Sequence, residues 1–312
     1  MASSSALAQE GGSWRDAISD WFGSSESESG TSGTTASHVD QAVQDLIAEI
    51  NVLREELGVY DYPAEAERQD DRAPVHIYVK SLEVLTKLSA VQRKFGVPAA
   101  EVGRIPFKEI EPEDVLANVA YILREVRKIK AQMVIEREIE PAPLAGGKTA
   151  SSVYKSLADA SFLLDGLRGR PLTPDDMFRN AGYVLDEMEL IAAKLKVPLD
   201  FELPEISGAK RPVDVAQQVL RATYKVINLQ TRLGMDASGV PGLTLVRVTP
   251  SEVYDATNML LAEMARIKLH LDINVPRDDD GTEPRGKKPE DTFAVVLVIV
   301  RNLDVMSRAA VS

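Results

Sequence analysis

Cysteine is absent from this chain. A disulfide, a thiolate metal site and a thiol nucleophile are thereby excluded. Histidine is scarce too: His38, His76 and His270 are the three. No two of them stand four residues apart, and no Glu-x-x-His accompanies them, so neither a zinc helix nor a di-iron bundle is expected. Aromatic residues make up 5% of the chain, and the apolar residues are mostly Leu, Val, Ile and Ala, which suits helix packing. The longest apolar run, Phe293 to Val300, falls well short of the roughly 18 residues of a membrane span. Positive charge is in deficit, 36 Lys and Arg against 48 Asp and Glu; the net charge of −12 argues against nucleic acid and against anionic lipid.

Two motifs lack their key residues. Gly146-Gly147-Lys148-Thr149 has the end of a phosphate loop, but Ala142 stands where the first glycine belongs and no strand precedes it. Asp278-Asp279-Asp280-Gly281 resembles a calcium loop, but aligning Gly281 with the loop's glycine puts Pro276 and Lys287 at the two end ligand positions. An acidic surface turn is the simpler reading. No Ser/His/Asp set, carboxylate pair or cofactor loop stands out. No cofactor and no catalysis are expected.

What the chain does have is a repeat. Thr249-Pro250-Ser251-Glu252-Val253 recurs as Thr173-Pro174-Asp175-Asp176-Met177, Glu111-Pro112-Glu113-Asp114-Val115, Arg211-Pro212-Val213-Asp214-Val215 and Lys288-Pro289-Glu290-Asp291-Thr292. Weaker copies begin at Thr35, Ala73 and Thr149. The proline position falls at 36, 74, 112, 150, 174, 212, 250 and 289, intervals of 38 or 39 broken once by 24. Each copy reads as a helix start: a cap, proline where no N–H is needed, and a polar third residue to complete the cap. Downstream, apolar residues alternate by four and three, as in Val115, Val119, Ile122, Val126 and Ile129. That is a heptad seam, widened by neighbours such as Leu85 and Leu123 to a bundle-forming stripe. Gly58-Val59, Gly96-Val97 and Gly234-Met235 read as helix C-caps.

The expectation is an all-α, eight-helix repeat protein: two tandem four-helix bundles over 36–169 and 170–312 with long Pro/Gly-rich connections. Helices are expected at 37–58, 75–95, 112–135, 150–168, 174–197, 212–234, 250–273 and 289–310. The connections exceed those usual in bundles, so neighbours are parallel if the loops recross the bundle and antiparallel if they decorate one end. The short link Gly169 to Leu172 implies antiparallel neighbours or an abrupt junction. Leu243 to Val248 alternates like a short extended piece. At one flank of the seam, Glu49, Glu125, Glu187 and Glu263 mark odd-numbered helices, and Lys87 and Lys225 the second of each set. This alternation predicts Glu49 beside Lys87 and Glu187 beside Lys225.

Residues 1–35 read as a flexible tail. Within it, at 14–22, Trp14, Ile18, Trp21 and Phe22 share one helical face, an aromatic motif suited to docking in a groove. The basic run Arg124, Arg127, Lys128 and Lys130 is a second candidate contact for an acidic protein partner. Ala6-Leu7-Ala8 resembles the small-residue end of a secretion signal, without its basic and apolar parts. With the lack of cysteine, it points to a periplasmic or secreted protein, with the cytoplasm as the alternative. The functional expectation is a non-enzymatic scaffold or protein-interaction module, open to oligomerisation. A ligand-binding or sensor bundle, with a small molecule between helices or under the proline-rich loops, is the alternative.

Overall fold

A computed structural model describes residues 33–310 apart from 62, 64, 170–171, 237–247 and 278–283. The aromatic motif at 14–22, most of the Leu243–Val248 stretch and the acidic turn at 278–283 lie outside the described residues. Among the described residues there are eight helices and no strand: α1 (Ala36–Glu56), α2 (Pro74–Lys94), α3 (Pro112–Gln132), α4 (Ala150–Arg168), α5 (Pro174–Leu195), α6 (Pro212–Arg232), α7 (Pro250–His270) and α8 (Pro289–Ala309). Most end one to three residues short of the boundary the seam implied.

All eight start in the same way. The third residue accepts the N–H of the cap residue in every helix: His38 Nδ1 from Thr35, His76 Nδ1 from Ala73, Asp114 from Glu111 and Ser152 from Thr149. Asp176, Asp214, Glu252 and Asp291 do the same in the second set. The scarce histidines are thus partly explained, because two of them are caps. Six helices end in a shared device, an amide bonding back to the carbonyl five residues earlier, as from Val59 to Arg54 and from Ile135 to Lys130. Three use glycine as expected. The other three put Val134, Lys196 and Asp272 in the left-handed conformation, where no glycine signals a helix end.

The seam residues are the core. Val115, Val119, Ile122, Val126 and Ile129 are fully buried, as are their counterparts Val253, Leu260, Met264 and Ile267. Helix neighbours repeat between the sets: α1 packs on α3 and α4, and α2 on α3 and α4; α5 packs on α7 and α8, and α6 on α7 and α8. Consecutive helices α1 and α2 are therefore diagonal, and so are α5 and α6.

All four helices of each bundle run parallel. Side chains at similar heights meet. Asn118 bonds Ser81 near the starts of α3 and α2, Lys87 bonds Asp165 past the middle of α2 and α4, and in the second bundle Asn180 bonds Asn258 and Lys225 pairs with Asp304 likewise. Antiparallel neighbours would match starts to ends instead. A helix of about 21 residues is some 32 Å long, and a connection such as 57–73 spans over 50 Å when extended. The long loops thus return the chain to its starting end.

This arrangement corrects the expected ion pairs. Glu49 meets Arg127 and Lys130 of α3, not Lys87, and Glu187 meets Lys268 of α7, not Lys225. Lys87 reaches Asp165 and Lys225 reaches Asp304. The neighbour differs because the helix after each glutamate lies across the diagonal, and the partner lysine sits five residues further along its helix than the equal height expected. The link after Gly169 is an abrupt junction: α4 and α5 are antiparallel, but they are not packing neighbours.

The second bundle lies antiparallel beside the first through α2 and α7. The beginning of α2 meets the later part of α7, at His76 and Glu263, while the end of α4 meets the beginning of α7, at Asp165 and Ser251. Met259 and Ala262 of α7 complete the first bundle's core.

Candidate functional site: the interface between the bundles and its groove

Two features stand at this interface. The first is a buried set of charges. Lys80, almost completely buried, contacts Glu83 at 3.0 Å and also Asp255 across the interface. Glu83 accepts from Ser161 Oγ at 2.6 Å and from Asn258 Nδ2 at 3.0 Å. Tyr154 donates to Asp255 at 2.6 Å, and Lys87 holds Asp165 at 2.9 Å. Burial raises the Glu83 carboxyl, but Lys80, Lys87 and Ser161 outweigh it and hold it down to about 2. Burial lowers Lys80, and the Asp255 and Glu83 carboxylates more than reverse this. Burial and Asp255 push the Tyr154 phenol well up, so it stays a donor.

Nearby, His76 Nδ1 is spent on the α2 cap. Its hydrogen therefore sits on Nε2, which donates to Glu263 Oε1 at 2.6 Å. Burial raises Glu263, while His76, Arg266 and Gln230 bring it down to about 2. These groups are aimed at one another. They fasten the bundles together. Lys80, Glu83 and Asp255 look like ordinary helix-surface charges in the sequence; in the structure Lys80 and Glu83 are buried and Asp255 of the second bundle meets Lys80.

The second feature is a groove of about 690 Å³ beside this set. One wall is the first bundle's starting end: Ala73–Val75 and the loop Arg104–Glu111. The other is the finishing end of the second bundle: Ala265–His270, Ile273–Arg277, Met235 and Glu187. The first loop is pinned, since Ala100 N–H donates to Gln92 Oε1, its carbonyl accepts from Ser89, and Ile110 is buried. The second is tied by Lys268, which bonds both Glu187 at 2.6 Å and the Val275 carbonyl at 2.7 Å. Arg104 donates to the Arg277 carbonyl at 2.9 Å, closing one edge, and the Arg277 guanidinium lies 3.9 Å from the Tyr183 ring. Phe107, Leu269 and Val275 are 36%, 37% and 50% exposed and share this depression. Five basic residues line it against three acidic ones, the reverse of the whole chain's balance.

The earlier candidates are placed differently. Trp14, Ile18, Trp21 and Phe22 lie outside the described residues. Arg124 is exposed and stacked over Tyr121. Arg127 pairs with Glu49, and Lys128 with Glu125. Lys130 is buried on Glu49. The basic run is thus largely engaged in ion pairs within its own bundle. No local pattern in the sequence marks the groove, because its walls combine connections with helix ends from the two bundles. The apolar Ile105, Phe107 and Ile110 in a loop were the one signal. No group of three or more His, Asp or Glu suited to a metal ion occurs among the described residues, nor is any described helix long and apolar enough to cross a membrane. The chain matches no protein-family model, no curated protein and no solved structure.

Proposed function

We propose that this protein is a non-enzymatic interaction module: a double helical bundle that presents a pre-formed groove to a protein segment. The groove carries this reading. It offers exposed apolar side chains on tied-down loops and a helix end, beside Arg104 and basic residues paired with carboxylates, which suits a segment with apolar anchors. The buried charges support it in a different way, because they hold the walls in register and are engaged with one another. The proposed compartment is the periplasm or outside the cell, on the lack of cysteine, and cell fractionation checks it.

A photo-crosslinking residue placed at Leu269 tests the reading in the native cell. The expected result is a discrete protein adduct that disappears with Ile105→Asp. Crosslinking to no protein overturns it. The second reading, a small-molecule binder, is favoured by the groove volume, which falls within the usual ligand-pocket range of roughly 300–1,000 Å³. Thermal stabilisation by a small molecule, abolished by Ile105→Asp, would support that alternative.

A further inference from the structure

We propose that the groove is the seat of the chain's own aromatic segment, Trp14 to Phe22, docked in cis. This rests on the reading of the groove as a docking site for a protein segment. Four observations converge on it.

The first is pattern. Trp14, Ile18, Trp21 and Phe22 are spaced by four, three and one, the anchor spacing by which one helix face enters an apolar groove. The second is charge. Residues 14–32 contain Asp16, Asp20, Glu26 and Glu28 against Arg15 alone, and the groove is lined by five basic residues against three acidic. Asp16 and Asp20 flank the anchors, where the rim residue Arg104 would meet them.

The third is position. The first bundle's helices are parallel, so α1 begins at the same end as α2 and α3. The groove is walled by the first residues of α2 and by the loop that leads into α3. The tail therefore joins the bundle at the end where the groove lies. The fourth is reach. Residues 23–35 separate Phe22 from α1, a stretch that spans about 40 Å when extended. A Gly/Ser-rich stretch of that length has a root-mean-square span of about 20 Å. The diagonal between two bundle helices is about 13 Å for axes 8–10 Å apart. The tether is neither too short nor so long that a second copy competes easily. A partner protein would then have to displace this resident segment, which makes binding conditional.

Trp14 and Trp21 are the only tryptophans in the chain, so the intrinsic tryptophan emission of the intact protein reports this segment alone. The expected result is blue-shifted emission shielded from acrylamide at all protein concentrations, in a monomer. Leu269→Asp and Phe107→Asp, each in the full chain, should shift the emission to the red and raise quenching while helical circular dichroism stays constant. Val275→Cys carrying a bimane label, the only thiol in the molecule, should be quenched by the indoles, and Trp14→Phe/Trp21→Phe should restore its emission.

Three results overturn the proposal: water-exposed tryptophans in the unaltered chain, shielded tryptophans indifferent to both groove substitutions, or shielding that appears only with dimerisation. If the tryptophans are exposed and Leu269 still crosslinks a partner, the interaction reading stands and the resident segment does not. If the segment docks and no partner adduct forms, the groove is a docking site for the chain's own segment and the partner protein is what falls.

Discussion

At the scale of single residues, identical substitutions should act in opposite directions according to what surrounds them. Gly182 and Gly166 both lie inside helices, where replacing glycine by alanine ordinarily stabilises by about 1 kcal/mol. Nothing lies within 4 Å of a Cβ added at Gly182, so Gly182→Ala should raise stability by about that amount. A Cβ at Gly166 would sit 2.6 Å from Arg54 Nη1 and 2.8 Å from Asp61 Oδ1. Arg54 cannot simply swing away. It is buried and bonds both the Leu163 carbonyl at 2.7 Å and the Asp61 side chain at 2.7 Å. Gly166→Ala should therefore destabilise, by about 1 kcal/mol or more once a bond to the buried guanidinium is lost. Val134 gives the converse case. This β-branched residue is 79% exposed and held at φ 55°, a conformation that costs a non-glycine residue roughly 1–2 kcal/mol. Val134→Gly should stabilise by about 1 kcal/mol and leave helix content unchanged. Urea titrations of the three variants check all these signs.

At the scale of helices, specificity lies in polar contacts between parallel neighbours. Glu49 with Lys130 and Glu187 with Lys268 are the same contact in the two bundles, and so are Glu125 with Gln92 and Glu263 with Gln230. Both lysines also bond a loop carbonyl, of Arg137 or Val275, so the ion pair fixes the neighbouring helix and the returning loop together. A double-mutant cycle on Glu187→Gln and Lys268→Met should yield a coupling of about 1 kcal/mol or more. The same cycle on Glu187 and Lys225 should yield none, since those residues sit on diagonal helices. The repeat was legible because it has a strict physical origin: each start needs a cap and each seam needs an apolar residue every three or four positions. The choice of neighbour was not legible, because a flanking glutamate carries no mark of which helix will face it.

At the scale of the molecule, the buried charges make the union of the bundles sensitive to acid. Glu83 and Glu263 are depressed from an ordinary 4.5 to about 2 in the folded protein. Below about pH 4.5 the unfolded chain takes up protons at these positions before the folded one does. Their stabilisation is therefore complete above pH 4.5 and is lost progressively as the pH falls toward 2. For Glu263 the difference amounts to roughly 3 kcal/mol. Glu263→Gln should lower stability at neutral pH and flatten its slope between pH 4.5 and 2. Urea unfolding at a series of pH values, followed by circular dichroism, measures both effects. An unchanged slope would mean that His76 and Glu263 do not hold the interface.

By itself the sequence determined the eight helix starts, the apolar seams, the grouping in fours and the all-α class. Each of these depends on contacts within a helix or on a periodicity that any apolar partner satisfies. Tertiary structure alone decided that the helices of a bundle are parallel, that α1 faces α3 rather than α2, and that α2 lies against α7. It alone also turned Lys80, Glu83 and His76 into buried groups and brought the loops at 104–111 and 273–277 together around a groove. The reason is distance along the chain. A cap is satisfied three residues away, whereas Lys80 meets Asp255 only after two bundles have formed and packed side by side, and no local pattern records that meeting.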